Sequence, residues 1–299
     1  MKALRYAFGL GFLALVTAGA VTAASQTQAT APAAVDTTQC AACHEPQVNG
    51  MGHTPHAGLE RSCASCHGDV AAHLASVTEK GEPGPIVSLK KMAPADVNKT
   101  CLECHDKRRQ ANWPGSIHDR RNVSCTTCHS VHAFKSARAQ LKTERDSQTC
   151  FTCHQQMRAK SMRTSHHPVR EGRMDCASCH DPHDGTKPKL IKADWTTELC
   201  LGCHTEKRGP FLWEHAPVRE NCTLCHEPHG SNHDKMLVAK MPFLCQRCHL
   251  NTRHPGTLYD AINTASGPSP SNRAVEHACR NCHFNIHGGN APSGPYFGR

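Results

Sequence analysis

The chain has 299 residues, 20 of them cysteine and 24 histidine, with 5% aromatic residues and a formal charge of +9. So few aromatics, and no long apolar run beyond the N-terminus, rule out a polytopic helical membrane protein and an ordinary hydrophobic core. A cysteine count this high leaves a disulfide scaffold, a set of zinc sites, or thiols that carry a covalent cofactor.

Residues 1–24 read as a secretory signal: Lys2 and Arg5 precede an apolar run over 7–16, and small residues follow near Ala23 and Ala24. The strongly apolar part is too short for a membrane anchor, so cleavage and export are expected. Residues 25–39, mostly Ala, Thr, Gln and Pro, read as a mobile leader.

From there on, all 20 cysteines fall into ten Cys-x-x-Cys pairs, each followed at once by histidine. The boxes are Cys40, Cys43, His44; Cys63, Cys66, His67; Cys101, Cys104, His105; Cys125, Cys128, His129; and Cys150, Cys153, His154. They continue as Cys176, Cys179, His180; Cys200, Cys203, His204; Cys222, Cys225, His226; Cys245, Cys248, His249; and Cys279, Cys282, His283. Ten such successes by chance would be on the order of 1 in 10¹¹, and Cys-x-x-Cys-His is the attachment signature of c-type haem. The chemistry explains the spacing. Two thiols form thioethers with the porphyrin while the histidine binds the iron, and residues at i, i+3 and i+4 share one face of a helical turn. Ten covalently bound haem c groups are therefore expected, and neither zinc nor disulfides explain the pattern.

Ten haems on a mature chain of about 275 residues leave too little protein to wall each one separately, so the porphyrins must supply most of the buried apolar surface. They also reverse the charge. Without Lys2 and Arg5 the chain carries +7, and each oxidised bis-histidine haem brings about −1, giving roughly −3. Lys and Arg then read as partners for propionates, and nucleic-acid binding is not expected.

Grouped in consecutive twos, the boxes of a unit start 23, 24, 26, 22 and 34 residues apart. The last unit holds an insertion, Thr257 to Val275, that reads as a surface loop, as does Glu79 to Lys99 with its Gly and Pro. Neither period-2 alternation nor a long helical stripe appears. The expected fold class is a multihaem cytochrome c: mostly irregular, with short α-helices such as one around Asp194 to Leu201, an elongated haem wire, and little or no β-sheet.

Fourteen histidines lie outside the boxes, and position separates them. His56, His118 and His215 stand seven residues before the second box of their unit and His167 nine before; His132, His183 and His229 stand three after that box's own histidine, His287 four after and His73 six after; His254 follows the ninth box. These ten are the candidate second axial ligands. His53, His166, His233 and His277 fall outside the pattern and read as surface or hydrogen-bonding histidines, with His53 in close competition with His56. The two Cα atoms of a bis-histidine haem lie about 12 Å apart, whereas three extended residues reach only about 10 Å. His132, His183 and His229 must therefore cap a haem attached elsewhere. His118 and His215 have the reach to return to their own unit's first haem, at His105 and His204. Two histidines on each iron leave no open position and favour a low potential, which points to electron transfer rather than catalysis.

At residues 206–231, in the Cys-His-x-Pro-His-Gly ends at His183 and His229, and in the closing Ile286-His287-Gly288-Gly289-Asn290-Ala291-Pro292, the chain resembles the MtrA/DmsE-type periplasmic decahaem cytochromes. That resemblance covers essentially the whole mature chain. It implies two fused pentahaem modules, 40–160 and 161–299, that thread an outer-membrane porin of the MtrB type. Electrons would pass between the periplasm and the cell exterior, with periplasmic cytochromes on one side and a surface multihaem cytochrome on the other, for metal reduction or iron oxidation. The alternatives are a soluble periplasmic shuttle and a multihaem reductase. The reductase would need one iron with an open position, and none of the ten boxes is variant.

Overall fold

A computed structural model describes residues 37–59, 63–80, 84, 86–137, 139–249, 279–281 and 283–292. The signal and nearly all of the leader, the insertion Thr257 to Val275, His254, His277 and Cys282 lie outside the described residues. Residues Val35–Arg299 form one compact unit. Among the described residues no helix is long and apolar enough to cross a membrane.

The boxes dictate the local structure. In every box from the second to the tenth, the histidine N–H donates to the carbonyl of the first cysteine at 2.9–3.0 Å, so each box closes one α-turn. The helices are little more than these turns and their approaches. They are α1 Thr37–Gly52, α2 Ala64–His67, α3 Ala71–Lys80, α4 Pro94–Leu102, α5 Ile117–Arg120, α6 Cys125–Cys128, α7 Asp146–Phe151, α8 Gln155–Ser161, α9 Thr196–Leu201, α10 Ala216–Glu220 and α11 Phe243–Gln246. The sixth, eighth and tenth boxes open with single 3₁₀ turns. Even α1 breaks at the first box, where His44 leaves helical geometry (φ −119°, ψ 39°) just before Pro46, which lacks the N–H to continue the ladder. The helix expected around Asp194 starts only at Thr196. Trp195 is extended (φ −127°) and no side chain caps the end, while two β-branched threonines favour its first turn weakly.

No strand forms among the described residues, only isolated bridges. Three of these repeat one motif, pairing His129 with Leu141, His180 with Ile191 and His226 with Leu237. Each closes a loop that leaves a box and returns beside it.

A conventional core is absent. Among the described residues only Met51, Val70, Val97 and Trp113 are buried apolar side chains. Buried polar groups tie consecutive boxes instead. Asn98 of α4 donates to Val123 O at 3.1 Å and accepts from the Cys125 N–H at 2.8 Å, fixing the third box to the fourth. Asp146 does the same between the fifth and sixth, accepting from the N–H groups of Cys176 (3.2 Å) and Ala177 (2.7 Å).

Segments distant in sequence then interlock. Gly185 N–H donates to Asn112 O, and a Cβ on Gly185 would stand 2.8 Å from the Ser116 backbone. Ser165 and Ser231 exchange both backbone hydrogen bonds, and Trp213 and Gly289 do likewise. Gly230 has φ +130°, and a Cβ there would collide with the Lys160 carbonyl. Gly230→Ala is therefore expected to destabilise the holoprotein by about 1–3 kcal/mol. Denaturant titration reads this directly, and a curve superimposed on wild type would mean that the contact is slack.

Candidate haem sites

Nine of the ten box histidines face a second histidine from another part of the chain. Ring centroids lie 6.3 Å apart for His44 with His73, 6.3 Å for His67 with His132, 6.0 Å for His105 with His56, and 5.9 Å for His129 with His183. The separations are 6.2 Å for His154 with His118, 6.0 Å for His180 with His229, 6.3 Å for His204 with His167, 6.1 Å for His226 with His287, and 6.2 Å for His249 with His215. The tenth box ends at His283, whose remaining candidate, His254, is outside the described residues.

These separations fit an iron. Bonded to two imidazoles at about 2 Å, a metal ion midway between them sets the ring centroids about 6.2 Å apart. Ring orientation agrees. Nδ1 lies within reach of a backbone carbonyl at His67 (Val87 O, 2.8 Å), His73 (Gly84 O, 2.9 Å), His129 (Ala139 O, 2.7 Å), His167 (Pro228 O, 2.8 Å), His180 (Lys189 O, 2.8 Å) and His226 (Lys235 O, 2.8 Å). His132 (Gln47 O, 3.2 Å) and His118 (Pro182 O, 3.3 Å) make longer contacts of the same kind. With Nδ1–H donated to the chain, Nε2 is left as the lone-pair nitrogen that binds a metal. Burial lowers the pKa of His56, His129, His183, His215, His229 and His287, holding these rings in the neutral, ligating form.

The sulfurs stand next to one another in sequence order. Cys66 is pushed up by burial and then by the thiols of Cys101 and Cys104; burial and Cys153 act likewise on Cys128, and burial and Cys203 on Cys179. Cys101 is raised by a hydrogen bond with Cys125, and Cys150 by one with Cys176. Cys200 is pushed up to about 12 by burial and Cys222, and Cys245 to about 11 by burial and Cys279. Thioether formation removes these protons, but the neighbour relations remain: from the second box to the tenth, each box has a cysteine close enough to one of the next to perturb a thiol, with Cys225 and Cys248 relating the eighth to the ninth. No disulfide joins any of the 19 described cysteines.

Two further features suit haem. A cavity of about 510 Å³ is lined by Cys104, His105, Lys107, Arg108, Arg109 and Gln110, placing three cations around the third box. The buried indole N–H of Trp113 has no acceptor among the described residues, and its ring lies 6.3 Å from His118 and 6.1 Å from His183. Haem, with an apolar face and two carboxylates, meets both needs.

His132, His183 and His229 lie against the second box of the preceding unit, as their short reach requires. The expected return of His118 to His105 and of His215 to His204 is not what the structure has. His118 lies against His154 and His215 against His249, 36 and 34 residues downstream. A reach of thirteen or eleven residues permitted the return without directing it; beyond His105 the chain is carried instead to the Asp181–Gly185 segment by the Asn112, Trp113 and His118 contacts. His56 faces His105 while His53 is exposed. His166 is held locally, its Nδ1 facing the Arg163 carbonyl and its Nε2 3.1 Å from Glu171 Oε1.

The repeat is thereby shifted by one box from the grouping that spacing suggests. It runs from His56 to His105, His118 to His154, His167 to His204, and His215 to His249. In each, the first and last histidines meet, and the box between them receives its partner from the next repeat in the first three and from His287, beyond the tenth box, in the last.

Sequence reading missed the turns that aim the carbonyls. Lys189 and Leu190 (φ 56° and 57°) and Lys235 and Met236 (φ 58° and 55°) occupy the left-handed region without glycine, and each first residue presents its carbonyl to a box histidine. It also missed two carboxylates. Glu227 Oε1 lies 3.3 Å from His229 Nδ1, with Lys160 Nζ 2.8 Å from its other oxygen. Asp181, buried, lies 3.7 Å from His183 Nδ1 and 3.3 Å from Arg109 Nε.

Comparison with known proteins agrees with this arrangement. The family model of the doubled CXXCH motif matches residues 166–209 and 215–254, each span enclosing one shifted repeat with its internal histidine pair, and the model of NrfB-like cytochrome c-type proteins matches residues 63–144. The chain is 39% identical over 246 residues to multiheme cytochrome MtrA of Shewanella baltica (strain OS185), covering 81% of this chain and 71% of that protein. The chain therefore belongs to the MtrA family of multihaem cytochromes, as an electron-transfer protein of short helices and irregular segments that carries covalently bound haem c.

Proposed function

We propose that the protein holds ten haem c groups in sequence order and serves as an electron conduit between the periplasm and the cell exterior, seated in an MtrB-type outer-membrane β-barrel. The observation that carries this reading is continuity: from the second box to the tenth, each box has a cysteine close to one of the next, and the repeats beginning at His118, His167 and His215 each complete a site in the repeat before. Bound haem c supplies a one-electron iron couple at each site. The residues do the rest. The cysteines of each box anchor the porphyrin, the box histidine holds the iron from one side, and His56, His73, His118, His132, His167, His183, His215, His229, His254 and His287 hold it from the other.

With both axial positions taken, no iron is open to a substrate, which favours conduction over a reductase. Polar, irregular backbone of this kind would cross lipid only inside a polar lumen. Periplasmic cytochromes on one side and a surface multihaem cytochrome on the other are the partners this role requires. The two pentahaem modules, 40–160 and 161–299, join at α8. His183 of the second completes the fourth site of the first, so the join is coordinate as well as covalent.

Sealed liposomes bearing the protein with its barrel test the proposal. An external reductant that cannot permeate should bleach an internal redox dye, and liposomes with the barrel alone should not. Dye that stays oxidised with both proteins present would leave a periplasmic shuttle as the function.

A further inference from the structure

The histidines contacting these irons differ in what holds their other ring nitrogen. Eight contact a neutral backbone carbonyl, as detailed above. Two instead have a shielded carboxylate. At His229, Nδ1 is 3.3 Å from Glu227 Oε1, and the Glu227 side chain is 25% exposed. At His183, Nδ1 is 3.7 Å from Asp181 Oδ1, whose side chain is 9% exposed. Both acids pair with a cation from a different segment, Lys160 at 2.8 Å and Arg109 at 3.3 Å. His204 also lies 3.8 Å from Glu206, but both side chains are more than half exposed and water screens the pair.

The two acids occupy the same place in sequence. Each stands between the box histidine and the proline of Cys-His-x-Pro-His, in Cys179-His180-Asp181-Pro182-His183 and Cys225-His226-Glu227-Pro228-His229. The equivalent position after the fourth box is Ser130, and after the tenth Phe284.

A negative charge beside the N–H of an axial imidazole makes the ligand more basic and favours the more positive iron. We propose that Asp181 and Glu227 are positioning residues that depress the reduction potentials of the fourth site (His129 with His183) and the sixth (His180 with His229). The fifth site, His118 with His154, lies between them in the order of boxes and has, among the described residues, no carboxylate on either ring. The chain thus places a more oxidising site between two more reducing ones, so that an electron at the fifth site has a less favourable neighbour on each side. This rests on the reading that His183 and His229 are axial ligands.

Potentiometric titration of the holoprotein, followed at the haem α-band, reads the effect. In Glu227→Gln, about one tenth of the absorbance change should move to higher potential. The expected change in that site's reduction equilibrium is about tenfold, or 59 mV for one electron. Asp181→Asn should move another tenth the same way. Lys160→Met, which unmasks Glu227, should move the Glu227 fraction to lower potential, whereas Glu144→Gln, an exposed charge elsewhere, should change nothing. A merely structural role for Glu227 would not give opposite signs for Glu227→Gln and Lys160→Met.

His229→Ala separates the two ideas. No carbon monoxide uptake by the reduced variant would overturn the ligation reading itself. Uptake of one molecule, with a Glu227→Gln titration superimposed on wild type, would overturn the tuning alone.

Discussion

Made without haem, the mature chain will be unfolded. A protein of this length ordinarily removes from water about three quarters of the surface its unfolded chain exposes, and the stability of the fold comes from that burial. Here the described residues bury four apolar side chains, and two of the largest apolar groups, Trp195 and Leu212, are 75% and 65% exposed. What does order the chain is a set of single α-turns, each too short to persist alone. They are linked by polar ties such as Asn98 to Cys125 and by histidine pairs with a gap of iron-ligand size. Haem supplies both the missing apolar surface and the metal that joins the paired rings, so attachment and folding should be one process. Circular dichroism and amide exchange of a variant with all box cysteines replaced by serine should report a disordered chain. A cooperative unfolding transition in that variant would contradict this.

The second large effect is spectroscopic. His215→Ala should convert one site from six-coordinate low-spin to an open iron, so carbon monoxide uptake by the reduced protein should rise from about zero to about one per chain. His215 is half-buried, with its pKa lowered by burial, and its ring lies 6.2 Å from His249 and from no other box histidine among the described residues. His215→Met should instead keep the iron six-coordinate and raise the potential of that one site, because a thioether stabilises the reduced metal relative to imidazole.

Much of this architecture is legible in the sequence because haem c attachment is local chemistry. A box specifies its own turn, so ten turns follow from ten boxes, and the near absence of apolar periodicity leaves little room for helices or strands of any length. The distal histidines are legible too, since their positions relative to the boxes recur. Their pairing is not. Chain reach excludes His229 from the haem of His226, but it permits His215 to meet either His204 or His249, and the choice is made by contacts such as Trp213 with Gly289 that no local pattern announces. The carbonyl-aiming turns at Lys189–Leu190 and Lys235–Met236 are hidden for a different reason. They use left-handed backbone without glycine, at a cost of about 1–2 kcal/mol per residue, so the usual signal is missing. The acids Asp181 and Glu227 are visible as residues, but only the fold reveals that each faces an imidazole and a cation.

The pairing across repeats is what turns separate sites into one path, and carbon monoxide stoichiometry in combined variants tests it most directly. His215→Ala should be studied alone, with the ninth box removed (Cys245→Ser, Cys248→Ser), and with the seventh box removed (Cys200→Ser, Cys203→Ser). The structure predicts that the open site disappears when the ninth box is lost and persists when the seventh is lost. An open site that survives loss of the ninth box and vanishes with the seventh would place His215 back on its own neighbour and contradict the crossed arrangement.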